Sequence, residues 1–201
     1  IDDGSQYVFL SDNKTEGNFG GLEIKAHKTA SAASKVMVNN HLSIEDTRAY
    51  NIRHIGHHDA KKDSRSLTAY DVALNNCMAL NPKFNGVYPG STPRALCISA
   101  YRNVSVNNFT AVGSNDFGIL EGGKLDTKQP AIAVQFMAEN VTLNNINVRN
   151  FKNADVDIRL FGGQNRGSRL VLNNINIYNS SNHIGIGVGG SVNNTKITNC
   201  N

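Results

Sequence analysis

Two aspartates open short apolar runs that end in glycine, Asp116 in NDFGILEGG and Asp155 in ADVDIRLFGG, and His183 holds the same place in NHIGIGVGG. Setting Ile119 over Ile158 and Ile186 puts Asp116, Asp155 and His183 in one column. Phe117, Val156 and Ile184 then share an inward column. Gly118, Asp157 and Gly185 share an outward one, followed by Leu120, Arg159 and Gly187. Neighbouring strands lie about 4.8 Å apart, so in this alignment Asp116 and Asp155 face one groove a single rung apart. A carboxyl pair near about 5 Å serves a retaining glycosidase, and one at roughly 6.5–9.5 Å an inverting one. Proximity raises the pKa of one partner and so supplies the protonated acid.

Glu121 and Asp157 fall close by, which makes Asp116, Asp155, Glu121 and Asp157 the catalytic candidates. Arg159 is the candidate to hold an acidic sugar by bidentate contact. His183, Tyr88 and Arg53 are further candidates for substrate binding. Two alternatives stand beside catalysis. Asx residues before a strand are ordinary turn formers and stack wherever turns stack, and the same groove can bind without chemistry.

HIGHHD (54–59) gathers three histidines and an aspartate, ligand types that zinc sites use. Adjacent His57 and His58 point to opposite sides of a strand, however, and no second ligand group accompanies them. No metal and no cofactor are expected.

The 201 residues carry 20 basic and 16 acidic side chains, a net charge of +4. The cations are scattered, without a basic stripe interleaved with aromatics, so nucleic acid is not the expected partner. No apolar run approaches the ~20 residues of a membrane span, so membrane insertion is not expected. Cys77 and Cys97 sit in apolar strand-like runs and, with no C-x-x-C pair, read as buried free thiols. The chain opens IDDGSQYVFL and stops after KITNCN, and a longer polypeptide is expected.

The elements that position these groups are written in a repeat. An Asn-Asn doublet flanked by alternating apolar residues occurs in KVMVNNHLSI, DVALNNCMAL, NVSVNNFTAV, NVTLNNINVR and LVLNNINIYN, and SVNNTKITNC closes the series. The second Asn falls at 40, 76, 108, 145, 174 and 194, so the intervals are 36, 32, 37, 29 and 20. Alternation on both sides marks two short strands with one buried face each. Asn between them marks a bend, because Asn tolerates left-handed backbone angles. Stacked in register, the side-chain amides can pair from rung to rung as a ladder. A third strand follows each bend, read at YNIRHIG (50–56), NGVYPG (85–90), DFGILEGG (116–123), DVDIRLFGG (155–163) and HIGIGVGG (183–190).

The expected fold is therefore all-β: a right-handed single-stranded parallel β-helix with three short strands per coil and Asn-rich bends. Residues 36–201 form the helix, and 1–35 a lead-in segment or partial coils. Each coil repeats because it buries the same face against its neighbour.

On these five coils the chain resembles the pectin-lyase-like parallel β-helix proteins, and within them most closely a bacteriophage tailspike fragment. That resemblance implies a homotrimer located in the virion, or an extracellular protein, that binds and depolymerises an extended surface polysaccharide. It equally admits a non-catalytic adhesin or shaft, or a free-standing polysaccharide lyase or hydrolase. HIGIGVGG resembles the glycine–histidine strand of polygalacturonases, but the paired aspartates, N-T-D and R-x-K elements of that group are missing. Trp is absent, and Tyr88, Tyr101 and Tyr178 are the aromatics read as available for sugar stacking.

Overall fold

The computed structural model describes residues 1–2, 4–26, 33–54, 71–86, 91–126, 128–161, 167–180 and 184–201. His57, His58, Tyr88 and His183 lie outside the described residues. The chain winds into stacked coils. The first holds β1 (Gln6–Ser11), β2 (Lys14–Glu16) and β3 (Gly20–Ala26). The second holds β4 (Ser34–Asn39), β5 (Leu42–Ile44) and β6 (Arg48–His54). The third holds β7 (Val72–Asn75), β8 (Met78–Leu80) and β9 (Arg94–Ser99).

From here the first two strands of a coil run together through their bend. β10 (Arg102–Val112) precedes β11 (Ile132–Gln135), and β12 (Glu139–Arg149) precedes β13 (Val156–Phe161). β14 (Gly167–Tyr178) precedes β15 (Ile184–Gly189), and β16 (Val192–Asn193) with β17 (Lys196–Cys200) starts another coil. All inter-coil pairings are parallel. The strands before and after the Asn bends form one sheet, and β3, β6, β9, β11, β13 and β15 form the second.

Between the sheets runs a continuous apolar column. Val38, Leu74, Val106, Leu143 and Leu172 come from the first sheet, and Ile24, Ile52, Ile98, Val134 and Leu160 from the second, all at most 1 % exposed. Each of these side chains packs against the facing sheet and against the coils above and below, so the apolar alternation recurs in every coil. Cys77 and Cys97 are buried free thiols, and Cys200 is an exposed one.

The bends behave as the repeat requires. Asn40, Asn76, Asn108, Asn145 and Asn174 all have φ between 53 and 56°, the left-handed region. Their amides form the expected ladder, with Asn76 donating to Asn40 (3.3 Å), Asn108 to Asn76 (3.0 Å), Asn145 to Asn108 (2.9 Å) and Asn174 to Asn145 (2.7 Å). A parallel ladder joins Asn39, Asn75 and Asn107. Further left-handed bends flank the ladder at steps of five residues: Lys35 and Glu45 around Asn40, Asp71 and Asn81 around Asn76, and Asn140 and Asn150 around Asn145.

This spacing corrects the last repeat. Asn193 pairs with Ser168, one bend early, while Asn173 pairs with Thr198 and its Oδ1 accepts from both Thr198 Oγ1 and Asn199 Nδ2. Asparagine suits every bend column, so the doublet alone does not identify which one it occupies. Two third strands are corrected as well. RALCIS (Arg94–Ser99) and IAVQ (Ile132–Gln135) take the places read at NGVYPG and DFGILEGG. Long insertions precede both true strands; residues 87–90 of NGVYPG lie outside the described residues, and the turn near Asp116 mimics a glycine-ended strand. Residues 115–118 are instead a turn, packed through Phe117 on Phe151 with ring centroids 4.8 Å apart, and Ile119 forms an antiparallel bridge with Leu125.

Candidate functional site

The outward face of the second sheet is a trough. Its register sets Arg48 beside Arg94, and Asn51 beside Cys97, which in turn neighbours Ala133 and then Arg159. The next outward row reads Arg53, Ser99, Gln135 and Phe161. Small side chains in mid-row and long ones at the ends leave a groove of about 630 Å³, lined among others by Arg48, Arg53, Arg94, Arg159, Phe136 and Phe161.

Four arginines on one groove demand an account of their charge. Arg159 Nη2 lies 2.5 Å from Asp155 Oδ2, and its Nη1 donates to the Lys128 carbonyl at 3.0 Å. Arg53 Nη2 is 3.4 Å from Glu23 Oε1. Arg94 donates, among the described residues, to two neutral acceptors, Gln129 Oε1 at 2.5 Å and Cys97 Sγ at 3.3 Å. The Arg48 guanidinium stacks over the Phe19 ring at 4.9 Å. Among the described residues neither Arg48 nor Arg94 has a carboxylate partner. Burial lowers the Arg48 pKa from its ordinary value, and the neighbouring charges of Arg53 and Arg94 add to the shift. Glu23 lies near enough to Arg48 to oppose the shift without pairing with it, and two guanidiniums lacking a paired carboxylate in a partly dry groove can receive an anion.

The groove brings together Arg53 and Arg159 from the sequence candidates, with Asp155 held at its edge by Arg159. It does not gather the others. In the observed register Ile132, not Ile119, pairs with Ile158, so the alignment that stacked Asp116 on Asp155 is replaced. Asp116 is exposed on its turn, which Asn153 Nδ2 ties to the coil of Asp155 through the carbonyls of Asn115 (2.9 Å) and Phe117 (3.3 Å). Glu121 is exposed in a 3-10 turn, Glu121–Gly123. Asp157, expected on the outward face, is 1 % exposed and accepts a hydrogen bond from Ser180 Oγ at 2.9 Å. It shares its row with buried Ala131, because chain segments cover this edge of the sheet. Tyr101 is core rather than a sugar platform: its ring is fully buried and its hydroxyl donates to the Ala33 carbonyl.

Arg48, Arg94, Phe136 and Phe161 were not among the sequence candidates. A signal existed for the first two. RAYNI (48–52) and RALCI (94–98) share the order Arg-Ala-apolar-x-Ile, which sets both arginines in one column.

A second polar centre is structural. Asp46 is fully buried and accepts from Thr15 Oγ1, Ser43 Oγ and the Asn18 amide, each at 2.6 Å. Beside it His41 Nδ1 lies 2.8 Å from Tyr50 Oη, whose hydroxyl also meets the carbonyls of His41 and Met78. Both centres are closed off by the coils that form them. Among the described residues no group of His, Cys, Asp and Glu is placed to hold a metal ion.

The chain as a whole is similar to phage proteins. No known family profile matches the chain. It is 45 % identical over 199 residues to YobO, a protein of Bacillus subtilis (strain 168) described as phage-related. It is 38 % identical over 200 residues to the pre-neck appendage protein of Bacillus phage phi29, and 39 % to that of Bacillus phage B103. These matches cover 99 % of the chain, which spans 24 % of YobO and 22 % of the phage proteins. Crystal structures of phi29 gene product 12 superpose over the whole chain at 36 % identity. The TM-score is 0.80 for an N-terminal fragment, of which 32 % is covered, and 0.84 for the pre-mature protein, of which 25 % is covered. The chain is thus homologous to a segment of phage appendage proteins, and the virion location expected from the sequence is that of these relatives.

Proposed function

We propose that this chain is a carbohydrate-binding stretch of a phage appendage and holds an acidic polysaccharide of the bacterial surface along its arginine groove. The observation that carries this reading is the adjacent, carboxylate-free pair Arg48 and Arg94, on a groove that Arg53 and Arg159 extend across four strands. A stack of coils suits an extended polymer, because successive rungs offer successive contacts at a fixed step of about 4.8 Å. The name of the phage relatives, pre-neck appendage protein, agrees with a role in meeting the host surface.

Affinity electrophoresis through gels containing an acidic or a neutral polysaccharide tests this directly. Retardation by the acidic polymer alone is expected, weakening as salt rises, and weaker again in Arg48→Ala and Arg94→Ala. Equal retardation by both polymers, or indifference to both substitutions, would count against it.

Depolymerisation by Asp116 and Asp155 is a second reading, favoured by the tie from Asn153 that holds the Asp116 turn against the coil of Asp155. Loss of polymer length with the wild-type chain, abolished in Asp116→Asn and in Asp155→Asn with the fold intact, is its signature. Unchanged polymer length under conditions where binding is complete would leave the chain a binding element.

A further inference from the structure

Arg159 and Phe161 alternate along β13 and so leave the same face of the second sheet. Both line the arginine groove, and both also line a second cavity of about 200 Å³ beside it, bounded by Asp155, Ile184, Gly187 and Gly189. They are the ridge common to the two. Phe161 is 38 % exposed, a large fraction for an aromatic ring on a folded sheet. Phe136 stands against it at 84°, with 6.2 Å between centroids, and so steadies the ring from one side. On the other side its register partner is Gly189, which has no side chain to cover it.

The fold does not require that glycine. Its backbone is outside the left-handed region, and a Cβ added there would meet Phe161 Cδ2 at 3.7 Å, an ordinary contact. The ring is therefore kept clear although the chain has room to cover it. An uncovered aromatic face beside polar groups matches a pyranose ring, whose C–H face packs on the electron-rich π-face while its hydroxyls reach hydrogen-bonding partners. The adjacent ion pair of Arg159 and Asp155 supplies both donors and acceptors. Because the two charges balance one another, this end of the groove favours a neutral sugar over a second anion.

We propose that Phe161 is the stacking platform for a neutral sugar ring of the bound polymer, with Arg159 and Asp155 hydrogen-bonding its hydroxyls. This rests on the groove reading above and adds a requirement to it: the polymer carries uncharged rings next to its anionic groups.

Two polyanions separate the claims: hyaluronan, in which charged and uncharged pyranoses alternate, and poly-L-glutamate, which has charge but no sugar. Phe161→Ala is expected to lower affinity for hyaluronan about 10-fold and to leave poly-L-glutamate within about twofold. Gly189→Leu, which covers the ring and removes no charge, is expected to do the same, and Phe161→Tyr to restore binding. Arg94→Ala is expected to weaken both polymers. If Phe161→Ala and Gly189→Leu leave hyaluronan binding unchanged, or weaken both polymers alike while Arg94→Ala still weakens both, the platform is overturned and the groove stands. If Arg94→Ala changes neither, or the wild-type chain binds neither polymer, the groove reading fails and the platform falls with it.

Discussion

Arg48 and Arg94 are direct register partners on β6 and β9, two like charges held side by side on adjacent strands. Like charges placed opposite one another in a sheet are destabilising, where opposite charges or apolar pairs contribute. The free protein bears this cost where an anion would remove it.

The first prediction follows from that relationship. Arg48→Met should raise the stability of the free chain by about 0.5 kcal/mol, since it removes the repulsion and keeps an apolar contact with Phe19. Addition of an acidic polymer should raise the melting temperature of the wild type and have less effect on the variant, because only the folded state carries the site. Thermal melts with and without polymer, at low and high salt, provide the check. Loss of stability in free Arg48→Met would mean that the repulsion is already screened.

The second concerns the Asn ladder. Asn108 combines a left-handed backbone, φ 55°, with amide bonds to Asn76 and Asn145. Asn108→Ala forfeits both features and should cost about 2–3 kcal/mol, the strain of a left-handed alanine plus exposed hydrogen bonds. Asn108→Gly relieves the strain and should cost about 1 kcal/mol. Urea midpoints that rank wild type, Gly, Ala would bear this out, and equal losses would mean that backbone strain contributes nothing.

The third concerns Asp46. Asp46→Ala strands three donors inside the coil, from Thr15, Ser43 and the Asn18 amide, and should cost about 3–5 kcal/mol. Gly21→Ala should be of comparable severity, because its Cβ would come within 2.5 Å of Asp46 Oδ2 and 2.7 Å of the Ala49 carbonyl. Denaturation of both variants, read by far-ultraviolet dichroism, measures the effect.

The fourth is a pH dependence. Burial lowers the His41 pKa from its ordinary value, with Asp46 opposing the shift. A folded-state pKa below the unfolded value of about 6.5 means that the unfolded chain takes up the proton first. The stability from neutral His41 is therefore fully present above about pH 6.5 and is lost as pH falls through the folded pKa. Unfolding midpoints should drop between about pH 7 and 5 in the wild type, and less in His41→Met. The lowered carboxyl pKa of Glu45, hydrogen-bonded by Lys83, acts the same way further down, below about pH 4.5. Parallel midpoints for wild type and His41→Met across that range would remove His41 from the account.

The coil repeat was legible because the same physics acts on every turn. An inward apolar pair, a left-handed Asn and a second apolar pair must recur wherever coils cover one another, and Val38, Asn40 and their counterparts state this in plain residues. The second sheet was less legible. Its strands follow insertions of unequal length, so their phase is not carried forward from the bends, and Ile119 was matched where Ile132 belongs. The groove inherited that error. Arg53 and Arg159 were found because they sit in strands read correctly, whereas Arg94 lay in a strand not recognised. The alignment of Ile158 with Ile186 already sets Phe161 over Gly189, but the exposure of the ring and its contact with Phe136 depend on packing that the sequence does not state.

The division of labour between the two sheets has a consequence for how such a surface changes. The Asn ladders and most of the interior column come from the strands, while the stretch joining β10 to β11 adds Phe117 and Ala131 to the core and sends polar residues to the groove. Gln129, which meets Arg94, and Lys128, which meets Arg159, both belong to this stretch. Substitutions at Gln129 or Lys128 can therefore reshape the walls of the groove while the ladders and the strand-borne core stay as they are.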